Sequence, residues 1–120
     1  MGFAHPLVGD VKGRVYELHQ VEVSPRIHDQ GAVVYPEDLR SEGVVGDAMV
    51  TLVVDREGRP HDAEVVTSHH DLFSQAALES VRDTRYVPAR NWGRTVNCRV
   101  VQHFQFDPSM EAPATDPDSF

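Results

Sequence analysis

Val96-Asn97-Cys98-Arg99-Val100-Val101-Gln102-His103-Phe104-Gln105-Phe106 decides the fold of this chain. Successive side chains of a β-strand point to opposite faces. Here Val96, Cys98, Val100, Phe104 and Phe106 fall on one face, and Asn97, Arg99, Val101, His103 and Gln105 on the other. The stretch therefore reads as a long half-buried strand. It follows Tyr86-Val87-Pro88-Ala89-Arg90 and a polar loop, Asn91 to Thr95, that contains Trp92. Pro88 bars any helix from running into it.

Further back, Phe73, Ala76, Ala77 and Val81 recur at helical spacing. They predict a helix from Leu72 to about Arg85, with Asp71 as its N-cap. Ala48, Val50, Leu52 and Val54 alternate with Asp47, Met49, Thr51 and Val53, the pattern of another half-buried strand. Asp55-Arg56-Glu57-Gly58 reads as a hairpin turn with Gly58 at positive φ, and the return strand, His61–Thr67, buries Ala63 and Val65. Tyr35-Pro36 opens a short helix, because proline suits a first turn and the helix dipole favours Glu37 and Asp38 there. Gly43 closes it. Val23–Ile27 reads as extended, since Pro25 disfavours the helical region for Ser24.

The order helix, strand, strand, helix, strand predicts an α+β fold: a three-stranded antiparallel sheet with two helices packed on one face. Partial alternation over Val11–Val21 adds a candidate short N-terminal strand. The expected divisions are an N-terminal extension (1–20), one domain (21–107) and a disordered acidic, proline-rich tail (108–120).

A chain of 120 residues and 40% hydrophobic content suits a single globular domain with a modest core. The net charge of −8 speaks against nucleic acid as a partner, since phosphate binding needs a basic face. Cys98, the single cysteine, permits no internal disulfide and reads as a small buried hydrophobe. No apolar run reaches the ~20 residues that span a bilayer. Ser68 beside His69 and His70 is the nearest approach to a catalytic dyad, but sequence neighbours rarely reach nucleophile–base geometry. The seven histidines lack metal-ligand spacing and read as solvated surface residues, so no metal, cofactor or catalytic residue is expected. Arg85, Arg90, Arg94 and Arg99 gather positive charge near the final strand. Such a strip suits an acidic peptide or lipid headgroups, or it is a set of ordinary surface arginines paired with acids.

Tyr35-Pro36 followed by Arg40, then Gly43 and Gly46, the Asp55…Gly58 turn, the Phe73/Ala76/Ala77/Leu78 helix, Tyr86…Pro88-Ala89 and the closing Phe104-Gln105-Phe106 form an ordered set. Over about Val21–Asp107 this set resembles the C-terminal domain of TonB-type energy transducers. Asp38 stands where members can carry a basic residue, and Val45 where an acidic one is often found.

The resemblance implies a periplasmic domain whose parent is anchored in the inner membrane and served there by a proton-motive-force complex. The domain would capture the extended TonB box of an outer-membrane transporter as a strand added to its last strand, an edge taken to be exposed over Val96–Phe106. Tyr35, Pro36 and Arg40 would flank the peptide, and Asn97, Arg99, Val101, His103 and Gln105 would touch it. The chain carries no anchor or proline-rich spacer, so it is expected to bind without transducing. The alternative is a self-associating or sensor-input module that pairs the same edge with a second copy or another domain.

Overall fold

Three strands of alternating polarity build the scaffold, and the shorter elements attach to their edges. A computed structural model of the chain describes residues 13–108, and the main chain alone of 114–115. In chain order the elements are β1 (Val15–Tyr16), β2 (Arg26–Asp29), α1 (Glu37–Ser41), β3 (Gly46–Val54), β4 (Pro60–Ser68), α2 (Asp71–Asp83), β5 (Arg85–Val87), β6 (Ala89–Asn91), β7 (Arg94–Phe106) and β8 (Ala114–Thr115).

The predicted antiparallel sheet is β4-β3-β7. β3 and β7 pair without a bulge from Gly46 opposite Phe106 to Val54 opposite Cys98. β3 and β4 pair with two register shifts, one between Met49 and Val50 and one between Thr51 and Val53. Both helices pack on one face. Leu39 of α1 and Phe73, Ala76, Ala77 and Val81 of α2 share a core with Ala48, Val50, Leu52, Ala63, Val100, Phe104 and Phe106. Phe73 stacks on Phe106 at 4.4 Å, and Tyr35 sets its edge against both rings at 5.9 and 5.6 Å. Burying each of these phenylalanines contributes about 1.5–3 kcal/mol.

Several boundaries differ from the sequence reading. His70, not Asp71, caps α2: its Nδ1 accepts the Leu72 N–H at 3.0 Å, a role that the imidazole shares with the usual short polar caps. The last strand begins two residues early, at Arg94. Its inward face includes Gln102, which is fully buried and accepts the Tyr86 hydroxyl at 2.6 Å. The candidate N-terminal strand is real, though only Val15–Tyr16 long, and it lies parallel to β7. The tail expected to be disordered falls mostly outside the described residues, but Ala114–Thr115 within it pairs with Phe104–Gln105.

Two further ties hold the periphery. Gly31 lies in the segment before α1; its N–H bonds Thr84 Oγ1 at 2.9 Å and its carbonyl accepts the Ser80 hydroxyl at 2.8 Å, fastening that segment to the end of α2. A Cβ on Gly31 would sit 2.2 Å from the Ser80 carbonyl, so only glycine fits. At the β3–β4 turn, Asp55 Oδ1 accepts the N–H groups of Glu57 (2.8 Å) and Arg59 (2.9 Å), and Oδ2 meets His61 Nε2 at 2.7 Å. Partial burial opposes ionisation of Asp55, but the Arg59 and Glu57 amides and His61 together hold its carboxyl below the ordinary range.

Gly58 in this turn has φ +82°, and a Cβ there would meet the Tyr86 carbonyl at 2.0 Å. Gly43 has φ +70° and open space around it. Gly43→Ala is therefore expected to cost about 1–2 kcal/mol from backbone conformation alone, and Gly58→Ala clearly more; chemical denaturation of the two variants checks the order. A second expectation concerns acid. Because its folded pKa is depressed, the stability Asp55 contributes is complete above about pH 4 and is lost as pH falls through the lower folded value. Asp55→Asn should flatten the acid limb of a stability–pH profile.

Candidate functional site

The sheet offers two long edges, and main-chain geometry separates them. The Asp47 carbonyl accepts the His69 N–H, and the Asp55 N–H donates to the Arg59 carbonyl, both at 3.0 Å. Odd-numbered residues of β3 thus turn their main chain toward β4. Antiparallel alternation then directs Ala48, Val50 and Leu52 to β7, where they oppose Phe104, Gln102 and Val100. It follows that the main-chain groups of Arg99 and Val101 point away from β3.

That outer edge is not open along its whole length, as the sequence reading supposed. β1 covers Asn97–Cys98, and β8 covers Phe104–Gln105. Because Cys98 turns its main chain to β3, its parallel partnership with Tyr16 places the Arg99 N–H on the Tyr16 carbonyl. Between β1 and β8, among the described residues, no strand pairs with the outer main chain of Val101 or with the Arg99 carbonyl. The last strand is interior at its ends and an edge in its middle. The other edge, β4, borders a groove of about 750 Å³ against α2, lined by Val65, Val66, Thr67, Ser74 and Leu78. Both register shifts of the sheet lie in the pairing of β4, and Asp62 within it has φ +51°. Bulges of this kind twist an edge away from further pairing.

The eight expected contact residues divide. Arg99 is exposed and lies 3.5 Å from Glu17; Val101 is half-buried, and Gln105 is exposed on the same face. His103 is half-buried, with Nε2 2.8 Å from Asp47 Oδ2. Asn97 is not available as a contact. It is buried, accepts the Arg56 N–H at 3.2 Å and donates to the Arg14 carbonyl at 3.1 Å, so it ties the turn and β1 to β7. Tyr35 is a half-buried lid on Phe73 and Phe106 whose hydroxyl donates to the Val44 carbonyl. Burial, then Asp107, pushes that hydroxyl's pKa up, with Arg40 pulling the other way. Pro36 is half-buried beside it and Arg40 is exposed on α1. These three border the Phe106 end of β7, with Tyr35 turned into the core.

The chemical alternatives fare poorly. The Ser68 hydroxyl donates to the His70 carbonyl at 2.7 Å and meets no imidazole. His69 Nδ1 lies 2.9 Å from both the amide and the carboxylate of Asp47, while His61 pairs with Asp55 at the other end of the sheet. No group of three or more His, Cys, Asp or Glu suited to a metal occurs among the described residues. Cys98 is buried, and its thiol is pushed up to about 11 by burial and by Glu17, so it is no nucleophile at neutral pH. Among the described residues no helix is long and apolar enough to cross a membrane.

The arginine strip also resolves into parts. Arg85 donates to the Arg82 and Thr84 carbonyls at the end of α2, and Arg99 faces Glu17. Arg90 and Arg94 remain at the β6–β7 turn, where Trp92 and Gly93 both take positive φ, +53° and +74°. The sequence reading placed Trp92 and Gly93 in a polar loop, although a two-residue turn before a long strand was a readable signal.

The Gram-negative bacterial TonB protein C-terminal family matches residues 31–108, well over half of the chain. No curated protein matches. In fold the chain is similar to the solution NMR structure of the Pseudomonas aeruginosa TonB CTD, with a TM-score of 0.61 and 21% identity, covering 79% of this chain and 93% of that one. With the strand order, the two helices on one face and the family match together, the chain belongs to the TonB C-terminal family.

Proposed function

We propose that this domain captures an extended peptide of an outer-membrane transporter by strand addition to the outer edge of β7, centred on Val101. The observation that carries the reading is the outward main chain of Val101, beside the outward Arg99 carbonyl, on an unbulged strand. An added strand gains main-chain bonds whatever its sequence, and side-chain positions alternating along it set selectivity. Arg99, Val101, His103 and Gln105 share the face beside that edge. β4 is the poorer template, because its two register shifts break the straight ladder that an incoming strand needs.

In this reading the domain lies in the periplasm, as part of a parent anchored in the inner membrane and driven by a proton-motive-force complex there. Residues 21–107 form the domain, with 13–20 joined to it through β1. No catalysis is assigned to it. The edge left between β1 and β8 is short, so grip rests on a few main-chain bonds and affinity is expected to be moderate. Pairing of the same edge with a second copy is the competing use.

Val101→Pro removes the outward N–H while leaving the bonds of Val100 and Gln102 to β3, and proline is tolerated at a strand edge. The variant is expected to keep a cooperative melt and lose about tenfold in affinity for TonB-box peptides, read by calorimetric or NMR titration. Unchanged affinity in a folded variant would contradict strand addition at this position. Sedimentation of the unliganded chain as a tight dimer that Val101→Pro dissolves would favour self-pairing instead.

A further inference from the structure

Trp92 occupies a position where its own backbone argues against it. The β6–β7 turn needs positive φ at both central residues, a requirement that Asn or Asp followed by Gly meets without strain. Gly93 fits, but Trp92 holds φ +53° with a bulky side chain and is 73% exposed. Its ring meets Tyr16 edge-on, 6.4 Å away, and at 73% exposure burial in the core does not account for it. Strain retained by an exposed side chain points to a role outside the fold.

The surroundings fix the main chain of this turn and supply charge. The Trp92 N–H donates to Glu22 Oε1 at 2.8 Å, the Glu22 N–H donates to Asn91 Oδ1 at 2.7 Å, and Asn91 Nδ2 donates to the Gln20 carbonyl at 3.0 Å. The Arg14 guanidinium lies 4.6 Å over the Tyr16 ring, and Arg90 Nη1 reaches the Gly93 carbonyl at 3.3 Å. Arg94 follows directly, and Val23, 44% exposed, exchanges main-chain bonds with Arg90. Among the described residues no carboxylate lies within ion-pair distance of Arg14, Arg90 or Arg94. Of the acids at this end, Glu22 is committed to the Trp92 amide, Glu17 lies 3.5 Å from Arg99, and Asp55 of the neighbouring β3–β4 turn is bonded to His61.

We propose that Trp92, Tyr16, Arg14, Arg90 and Arg94 form a docking tip for the anionic headgroup surface of a phospholipid membrane. Amphipathic indole and phenol rings settle at headgroup depth, and arginines beside them meet lipid phosphates. The chain's charge of −8 gives this arginine-rich tip a contrast that orients it toward an anionic surface. A protein partner for the same tip is the alternative that the experiment must exclude. The proposal stands apart from peptide capture, which uses the middle of β7.

Trp92 is the chain's single tryptophan, so its emission reports on this tip alone. Full-length chain is titrated with phosphatidylethanolamine vesicles containing phosphatidylglycerol, and separately with phosphatidylcholine vesicles. The expected result is a blue shift and co-sedimentation with the anionic vesicles, both weakened by salt. Arg14→Gln and Arg94→Gln should each lower partitioning about fivefold. Trp92→Asn should abolish co-sedimentation while its melting temperature stays equal or rises, because the turn is relieved of strain; a merely structural Trp92 would give a lower melting temperature. No blue shift with anionic vesicles overturns the proposal. So does equal, salt-insensitive binding to phosphatidylcholine, and so does a shift produced by polyglutamate but not by vesicles, which would assign the tip to a protein.

Discussion

The unbulged pairing of β3 with β7 is the constraint from which the rest of the molecule follows. Because the register runs unbroken from Gly46–Phe106 to Val54–Cys98, every inward residue of one strand meets an inward residue of the other. Phe104 and Phe106 are thereby delivered to Phe73 and Tyr35, and the two helices have an apolar floor on which to pack. A slip of one residue would turn that entire set to solvent. The same register fixes which main-chain groups of β7 are spent on β3 and which face outward. Core and candidate binding edge are two consequences of one ladder.

The chain treats its two edges differently. β4 carries both register shifts and the positive φ of Asp62, and α2 lies alongside it. β7 carries none in its pairing with β3, and its outer side is shielded by short pieces from distant parts of the chain: Val15–Tyr16, held by the Asn97 amide, and Ala114–Thr115. Exposed straight edges invite aggregation. Covering the ends while leaving the main chain of Val101 outward and without a strand partner among the described residues limits that hazard without abolishing the template.

Most of the scaffold was legible because its signals are local and periodic. The alternation of Ala48–Val54 and Val96–Phe106, the spacing of Phe73, Ala76, Ala77 and Val81, and the Asp55–Gly58 turn each name their element. What escaped was non-local. Nothing in the pattern of Val11–Val21 says that two of its residues will lie parallel to a strand eighty positions away. Asn97 looked like a contact residue because it is polar on an outward face; its amide is instead spent on Arg14 and Arg56, a fact of tertiary geometry alone. Gln102 broke the apolar face for a reason visible only with Tyr86 beside it. Gly31, which admits no Cβ against the Ser80 carbonyl, gave no sign of its role in the sequence around it.

The most direct test of the central claim is residue-resolved amide hydrogen exchange along β7, with and without a saturating TonB-box peptide. The ladder geometry predicts a contrast in the free chain: Val100 and Gln102, bonded to β3, exchange slowly, whereas Val101 exchanges fast. Adding peptide should slow Val101 selectively. Strong protection of Val101 in the free chain, or no change on adding peptide, would contradict the account.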